Sequence, residues 1–295
     1  MDNEILAKYR KAGKIAGKAR KFGLSLIKEG TLFLEVAEAI EKKIVDLGGN
    51  IGFPTNIAVD EQAAHYTPRI DDELRFRRKM VVKLDVGVHV DGYIGDTAST
   101  VEVGSNDSRM LIQASREALL NALDIVRGGV GLGMIAATIE DTIRSFGFRP
   151  ISNLTGHGLG QYKLHTGVAI PNVRGPEKDV LKAGEVVAIE PFATNGEGWV
   201  KETDASHIYQ FIREKRVKDA SARELLGFIS GKWPALPFSE RWCREFMERP
   251  APALTRLVRS RAISSYPILR DRGGGMVSQA EHTLLVTDDG CEILT

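Results

Sequence analysis

Apolar residues recur at helical spacing in two stretches of the chain that resemble each other. Residues 34–44 (LEVAEAIEKKI) and residues 133–143 (GMIAATIEDTI) carry apolar side chains, and one glutamate each, at matching positions. This spacing predicts two amphipathic helices. Gly48 and Gly147 follow the two stretches, and we expect them to end the helices because glycine readily adopts the left-handed conformation of a C-terminal cap.

Two β-rich runs repeat in the same order after these helices. Residues 80–85 (MVVKLD) and 185–190 (EVVAIE) each end in a carboxylate. In each half a second acidic residue, Asp96 or Glu281, opens the next apolar or β-branched run. The order of helix, strand and strand therefore occurs twice. This predicts an α+β fold in which helices cover a pseudo-two-fold sheet.

The second half of the repeat contains an insertion. Asp85 and Asp96 are 11 residues apart, whereas Glu190 and Glu281 are 91 residues apart. The excess holds three stretches with helical patterning: RELLGFI, FSERWCREFM and ALTRLVRS. The predicted division is a main domain of residues 1–208 and 266–295 and an inserted helical subdomain of residues 209–265.

Two aspartates project together from one predicted hairpin. The sequence KLDVGVHVDGYIGDTAST contains Asp91-Gly92, a strong signal for a two-residue turn. That turn would place Asp85 opposite Ala98 and make Asp96 its diagonal neighbour across the hairpin. The backbones of the two aspartates would then be roughly 7–8 Å apart. Two such carboxylates repel each other, whereas a divalent cation would accept both as ligands. The alternative is a solvated strand surface that carries both.

Three further residues favour the metal interpretation. Glu190 ends an apolar strand, Glu281 lies in a second predicted strand (SQAEHTLLV), and His157 lies in a glycine-flanked loop (TGHGLG). Four carboxylates and one imidazole suit two divalent ions such as manganese, iron or cobalt, and zinc is a further candidate. The oxygen-rich set argues against a structural zinc site, which prefers cysteine.

The five candidate ligands occur in an order that resembles the M24 metallopeptidases, whose fold is called pita-bread. The stretches that carry the resemblance are AAHYTP (63–68), KLDVGVHVDGYIGDTA (83–98), GHGLGQYKLHTG (156–167), AIEPFAT (188–194) and QAEHTLLV (279–286). Together they are similar to the type 2 methionine aminopeptidases of the short archaeal kind. In that family the insertion has a winged-helix-like fold, and the protein is a monomer.

The resemblance implies a role for each candidate residue. The metal ligands would be Asp85, Asp96, His157, Glu190 and Glu281. Asp96 and Glu281 would bridge two ions, and Glu190 would also shuttle a proton for the attacking water. His65 and His165 would hold the scissile amide and stabilise the tetrahedral intermediate. Phe53, Tyr266 and His207 would line the pocket for the methionine side chain.

The activity implied is metal-dependent removal of the initiator methionine from nascent polypeptides whose second residue is small. Two alternatives stay open. An Xaa-Pro peptidase would use the same five ligands, but such enzymes usually carry an N-terminal domain, and this chain reaches its first metal strand by residue 85. A catalytically inactive relative would bind RNA or proteins, but such relatives lose ligands that are all present here.

Composition and charge restrict the partners. The net charge of +1 does not favour DNA binding. Cys243 and Cys291 fit no metal-ligand spacing and are typical of reduced thiols in an intracellular protein. Neither a signal peptide nor an apolar run of membrane-spanning length is evident in the sequence. We therefore expect a cytoplasmic protein without membrane contact.

A basic run begins the chain. Seven basic residues occur without an intervening acid: Lys8, Arg10, Lys11, Lys14, Lys18, Arg20 and Lys21. The simplest interpretation is a solvated helix face. The alternative is an electrostatic contact with ribosomal RNA, which predicts salt-sensitive association with ribosomes.

Overall fold

The computed structural model describes residues 1–176 and 178–295 and contains two halves of similar order. The first half consists of α1 (Asn3–Leu26), α2 (Phe33–Asp46), β1 (Asn50–Ile51), β2 (Asn56–Val59), β3 (Gln62–Ala64), β4 (Val81–Val90) and β5 (Tyr93–Glu102). The second half begins with α3 (Arg109–Ile125), α4 (Leu132–Ser145), β6 (Arg149–Pro150), β7 (Thr155–Gly158), β8 (Ala169–Pro171), β9 (Val186–Ile189) and β10 (Phe192–Thr194). It continues through β11 (Val200–Phe211), α5 (Ala220–Lys232), β12 (Phe238–Ser239), a 3-10 helix (Glu240–Glu245), α6 (Ala251–Ser260), β13 (Ile263–Asp271), β14 (Val277–Gln279), β15 (His282–Val286) and β16 (Cys291–Ile293).

The repeated helices are present and end where the glycines predict. Helices α2 and α4 have 14 residues each, and Gly48 and Gly147 follow them at φ values of 79° and 84°. Each helix buries the apolar residues that match in the repeat. The matching apolar positions of the repeat therefore identify the buried face of each helix.

The matching glutamates of α2 and α4 have equivalent contacts. Glu41 accepts a hydrogen bond from the backbone N–H of Thr55 at 3.2 Å, and Glu140 accepts one from that of Arg174 at 2.9 Å. Each carboxylate also forms an ion pair with arginine, Glu41 with Arg241 and Glu140 with Arg174. The repeated glutamate thus holds a neighbouring loop onto its helix in both halves.

Two sheets carry the repeated strands. In the first, the order is β1-β4-β2 and β5 also pairs with β4; in the second, the order is β16-β15-β9-β7-β8. The predicted hairpin is confirmed, because Asp85 lies opposite Ala98 and Val90 lies opposite Tyr93. The core-facing side of β4 is apolar, as the alternation predicts, and Leu84 is fully buried.

The two sheets meet along β5. The backbone N–H of Glu281 donates to the carbonyl of Ala98 at 3.0 Å, and the Thr283 hydroxyl donates to the carbonyl of Asp96 at 2.8 Å. The Thr97 hydroxyl donates to the carbonyl of Glu281, also at 2.8 Å. We call this junction of residues 96–98 with residues 281–283 the seam. Two of the candidate metal ligands, Asp96 and Glu281, lie on it.

The inserted segment packs around an apolar cluster of its own. The buried members of this cluster are Tyr209, Val217, Ala222, Leu225, Leu226, Ile229, Phe238, Cys243, Ala253, Leu254, Leu257, Ala262 and Ile263. Helices α5 and α6 confirm two of the three predicted helical stretches, whereas FSERWCREFM forms strand β12 and the 3-10 helix. The paired strands β11 and β13 run across both predicted boundaries of the insertion. The division at residues 209–265 stays a prediction.

Helix α1 carries the basic run, and one of its residues departs from the predicted solvated face. Lys11, Lys14 and Lys18 are exposed, whereas Arg20 is partly buried and donates to the carbonyls of Ala98 and Glu281. The contact with ribosomal RNA stays a prediction. Within the described residues, no helix combines the length and the apolar character needed to cross a bilayer.

Candidate metal centre

The five candidate ligands line one cavity at the seam, with a volume of about 70 Å³. The His157 Nε2 atom lies 3.7 Å from Asp96 Oδ2 and 3.7 Å from Glu190 Oε1. One ligand atom each from Asp96, His157 and Glu281 lie within 4.8 Å of one another. Asp85 projects from β4 beside them, on the same face of the hairpin as Asp96. Residues that are far apart in the chain therefore converge on one volume.

His157 lies in strand β7 and not in the predicted loop. The flanking glycines are explained by close packing. A Cβ atom on Gly156 would lie 2.4 Å from the carbonyl oxygen of Ala188, and one on Gly158 would lie 2.0 Å from the Thr166 hydroxyl oxygen. The glycines let β7 approach its neighbours closely, and the strand holds the imidazole in a fixed direction.

Glu190 and Glu281 occupy equivalent breaks between strands. Glu190 lies between β9 and β10, and Glu281 lies between β14 and β15, which corrects the prediction that Glu281 lies within a strand. Strand β9 pairs with β15 and β10 pairs with β14 on either side of the two breaks. At these two breaks, both segments of the chain pass from one sheet to another. The two glutamates can therefore turn into the space between the sheets.

The carboxylates are crowded and poorly solvated. Burial raises the pKa of Asp85 to about 7, and burial together with neighbouring carboxylates raises the pKa values of Asp96, Glu190 and Glu281 well above their usual range. One oxygen each of Asp85, Asp96 and Glu281 is buried without a hydrogen-bond partner among the described residues. The first alternative from the sequence, a solvated strand surface, is therefore wrong for this pair of aspartates.

His65 has an unusual backbone and a defined tautomer. Its φ of 67° lies in the left-handed region, which is rare outside glycine and concentrates at functional sites. Its Nδ1 atom lies 3.2 Å from the carbonyl oxygen of Pro267, which can only accept, so Nδ1 carries the proton. Burial lowers the pKa of His65 to about 4, so the ring is neutral and Nε2 offers a lone pair to the cavity.

The other predicted site residues divide into two groups. Phe53, His165 and Tyr266 line the cavity, and the His165 ring lies against that of His157 at a centroid distance of 4.3 Å. His207 is not among the lining residues, and its Nδ1 lies 2.9 Å from a Glu240 carboxylate oxygen. The lining residues that sequence reasoning missed are Asn56, Ala64, Leu164, Ile208 and Pro237.

These missed residues differ in how far the sequence indicated them. Asn56 lies opposite Asp85 in the pairing of β2 with β4, which the hairpin pattern did not predict. Leu164 directly precedes His165. Ile208 directly follows the predicted His207, but a register shift in β11 between Ala205 and Tyr209 decides which side chain enters the cavity.

Comparison with known proteins identifies the family. A sequence model described as metallopeptidase family M24 matches residues 7–288. The chain belongs to metallopeptidase family M24. It is 46% identical over 295 residues to a protein named methionine aminopeptidase from Methanocaldococcus jannaschii, and the match covers all of both chains. The predicted family is therefore confirmed.

Two solved structures share the fold of this M24 chain at low sequence identity. The structure of a thermophilic Arx1 superimposes with a TM-score of 0.85 at 18% identity and covers all of this chain and 91% of its own. The methionine aminopeptidase of Thermotoga maritima superimposes with a TM-score of 0.73 at 24% identity and covers all of this chain and 98% of its own. The predicted pita-bread fold is confirmed.

The residues of the M24 site fit a divalent cation. The unpartnered buried oxygens supply hard ligands, and burial lowers the pKa of His157 to about 3, which leaves its imidazole neutral and able to coordinate. A buried cluster of four carboxylates is unfavourable without a compensating charge. Membership of a metallopeptidase family implies a divalent metal, and this cluster of carboxylates and imidazole has the ligand chemistry that such an ion requires.

Proposed function

We propose that the protein is a metal-dependent aminopeptidase that removes N-terminal methionine from nascent polypeptides with a small second residue. The observation that carries the proposal is the convergence of five ligand candidates beside a small cavity with apolar walls. Phe53, Leu164 and Tyr266 contribute to those walls. A small cavity bounded by these apolar side chains suits a single apolar side chain at the substrate's N-terminus.

The ligand set would hold two ions. Asp85, Asp96, His157, Glu190 and Glu281 supply enough oxygen and nitrogen atoms for both, and Asp96 and Glu281 lie together on the seam where they can be shared. Ions held there would supply a nucleophilic water at neutral pH. Cobalt, manganese, iron and zinc all suit these ligands, so the preference for one of them depends on its availability.

Glu190 would move the proton of the attacking water. The Gln279 amide donates to Glu190 Oε2 at 3.2 Å, and Oε1 faces His157 across the cavity. Burial and the charge of Asp85 raise the pKa of Glu190 in the metal-free cluster, and a carboxylate beside the attacking water is a suitable general base. The same proton can then pass to the leaving amine.

His65 and His165 would divide the contacts to the scissile amide. Because Nδ1 of His65 donates to the Pro267 carbonyl, its Nε2 accepts, and it suits an N–H of the substrate. The donor role toward the developing oxyanion therefore falls to His165, which lines the cavity beside His157. This refines the shared donor role that the resemblance implies.

The proposal is tested by methionine release from Met-Ala-Ser. We expect release by metal-stripped protein only after manganese or cobalt is added, and at least a 100-fold lower rate for Glu190→Gln, because general acid–base catalysis contributes about 10²–10⁴-fold. Glu224→Gln, on the exposed face of α5, is the matched control and should behave as wild type. Preferential cleavage of Ala-Pro-Ala would favour the Xaa-Pro peptidase, and binding of metal without cleavage of either peptide would favour the inactive relative.

A further inference from the structure

Arg20 contacts the chain next to Asp96 and Glu281, the two carboxylates that the proposed function assigns to both ions. Its Nη1 group donates to the carbonyls of Ala98 and Glu281, each at 3.3 Å, and to the hydroxyl oxygen of Thr97. Thr97 in turn donates to the carbonyl of Glu281 at 2.8 Å. One guanidinium from helix α1 therefore contacts both sides of the seam.

The seam determines how far apart the shared ligands stand. Asp96 precedes Thr97 in β5, and Glu281 lies in the break between β14 and β15, so neither carboxylate is on the same strand as the other. A shared ligand must place its oxygens about 2.0–2.2 Å from each ion. If the two segments moved slightly further apart, one of the two carboxylates would therefore lose contact with one ion.

The charge of Arg20 and its hydrogen bonds predict opposite effects on metal affinity. The guanidinium stays positively charged in proteins, and a nearby positive charge weakens the binding of cations. If charge alone mattered, removal of Arg20 would tighten metal binding. If the hydrogen bonds across the seam matter, removal would weaken it. The sign of the change therefore distinguishes the two effects.

We propose that Arg20 is a positioning residue that holds Asp96 and Glu281 at the separation that bridging requires. The proposal rests on the proposed function only for the assignment of these two residues as shared ligands. It makes the affinity of the metal centre depend on a residue of the N-terminal helix that touches neither ion.

The first test is calorimetric titration of the metal-stripped full chain with Mn²⁺ alone. We expect Arg20→Met to weaken at least one of the two binding events by about 10–100-fold, the range typical of residues that orient metal ligands. Arg20→Lys keeps the charge, but its side chain is one bond shorter and its ammonium stops short of the acceptors that Nη1 reaches, so the metal affinity should also fall. Arg10→Met removes a surface arginine of the same helix, paired with Glu292, and should bind as wild type. Affinities within about twofold of wild type, or tighter binding, would overturn the proposal.

A second pair of variants tests the same contact if Arg20→Met does not fold. Thr97→Val removes the hydroxyl that links Arg20 to the Glu281 carbonyl, and Thr97→Ser retains it. We expect weaker Mn²⁺ binding for valine and near-normal binding for serine. Equal binding by both variants would contradict a positioning role.

Methionine release is measured separately, so the two proposals can fail separately. A wild-type chain that binds Mn²⁺ in an Arg20-dependent way but releases no methionine would contradict the proposed function alone. A metal-dependent wild-type peptidase whose Arg20→Met variant binds Mn²⁺ normally would contradict only the positioning role. A wild-type chain that binds no Mn²⁺ would contradict both.

Discussion

Glu41 and Arg241, 200 residues apart in the chain, form a buried bidentate ion pair with N–O distances of 2.7 and 3.0 Å. The carboxylate also accepts a hydrogen bond from the Trp242 indole at 2.8 Å, and the guanidinium donates to the carbonyl of Pro68 at 2.8 Å. Helix α2 and the inserted segment are therefore joined next to the loop that carries His65. Every polar atom of the carboxylate has a partner, which is the condition for a stable buried pair.

Loss of one partner of this pair should destabilise the protein strongly. Arg241→Met leaves the Glu41 carboxylate buried without its cation, which typically costs about 3–5 kcal/mol. The free energy of unfolding is measured from urea denaturation of the metal-stripped chain. Arg244→Met, at an exposed arginine 3.4 Å from Asp71, is the control and should cost at most about 1 kcal/mol. A loss below about 1 kcal/mol for Arg241→Met would show that the ion pair does not hold the segment in place.

Substitution of Gly87 should change the selectivity for the N-terminal side chain. A Cβ atom at this position would lie 2.2 Å from the Phe53 ring, so Gly87→Ala must displace that ring from the cavity wall. We expect the ratio of kcat/KM for Met-Ala-Ser to kcat/KM for a peptide with a smaller N-terminal residue to fall by about 10-fold or more. One methylene of misfit is worth about 1–3 kcal/mol. Metal uptake should stay normal.

The control for this substitution is Gly227→Ala in helix α5. Nothing lies within 4 Å of the added Cβ there, so the variant should keep the kinetics of wild type and gain roughly 0.5–1 kcal/mol of stability. Unchanged selectivity in Gly87→Ala would place the methionine side chain away from Phe53.

His65→Ala should reduce turnover without reducing metal binding. The substitution removes the Nε2 acceptor that we assign to the scissile amide, and loss of a polar contact to the reacting group typically lowers kcat by about 10²–10³-fold. Mn²⁺ affinity should be within about twofold of wild type, because His65 is not one of the five ligands. Steady-state kinetics and calorimetry measure the two quantities.

His89→Ala is the matched histidine control. His89 projects from the same face of β4 as Asp85, but it lies outside the cavity and accepts a hydrogen bond from the Gly92 N–H at 3.1 Å. Its loss should leave kcat unchanged. Equal losses of kcat in the two variants would assign the His65 effect to general disturbance of the site.

Metal binding should strengthen as the pH rises through 7. The metal-free folded protein binds a proton at Asp85 below about pH 7, and the ion must displace it. The unfolded state is common to the metal-free and metal-bound proteins, so it cancels from the metal-induced stabilisation. That stabilisation is therefore present above pH 7 and declines as the pH falls, with affinity falling by about tenfold per pH unit for each proton displaced.

This pH dependence is measured by the rise in Tm on addition of Mn²⁺ and by proton release in buffers of different ionisation enthalpy. His65, with a pKa of about 4, and His157, with a pKa of about 3, stay neutral across this range and release no proton. Equal increases in Tm at pH 5.5 and pH 8 would contradict the prediction.

The parts of the fold that follow from local pattern were predictable from the sequence. The repeat located α2 and α4, and Asp91-Gly92 fixed the register that brings Asp85 and Asp96 to one face. Both inferences depend on spacing within a short segment. The separation of Asp96 from Glu281 depends on contacts across the seam and could not be derived in that way.

The features that were predicted wrongly depend on long-range contacts. The glycines beside His157 suggested a loop, but they permit close packing against Ala188 and Thr166. The charge pattern of α1 predicted that Arg20 is solvated. In the structure Arg20 is partly buried, because it donates to the carbonyls of Ala98 and Glu281. Hydrophobic periodicity records which residues face the core, but it does not record which backbone groups need a partner there.

The seam also has a consequence for the order of events during folding. Asp85 and Asp96 come from the first half, while His157, Glu190 and Glu281 come from the second. A chain emerging from a ribosome must therefore expose residues 85 to 281 before a complete ligand set exists. Metal capture should be a late kinetic step, and a nascent or truncated half cannot sequester the ions prematurely.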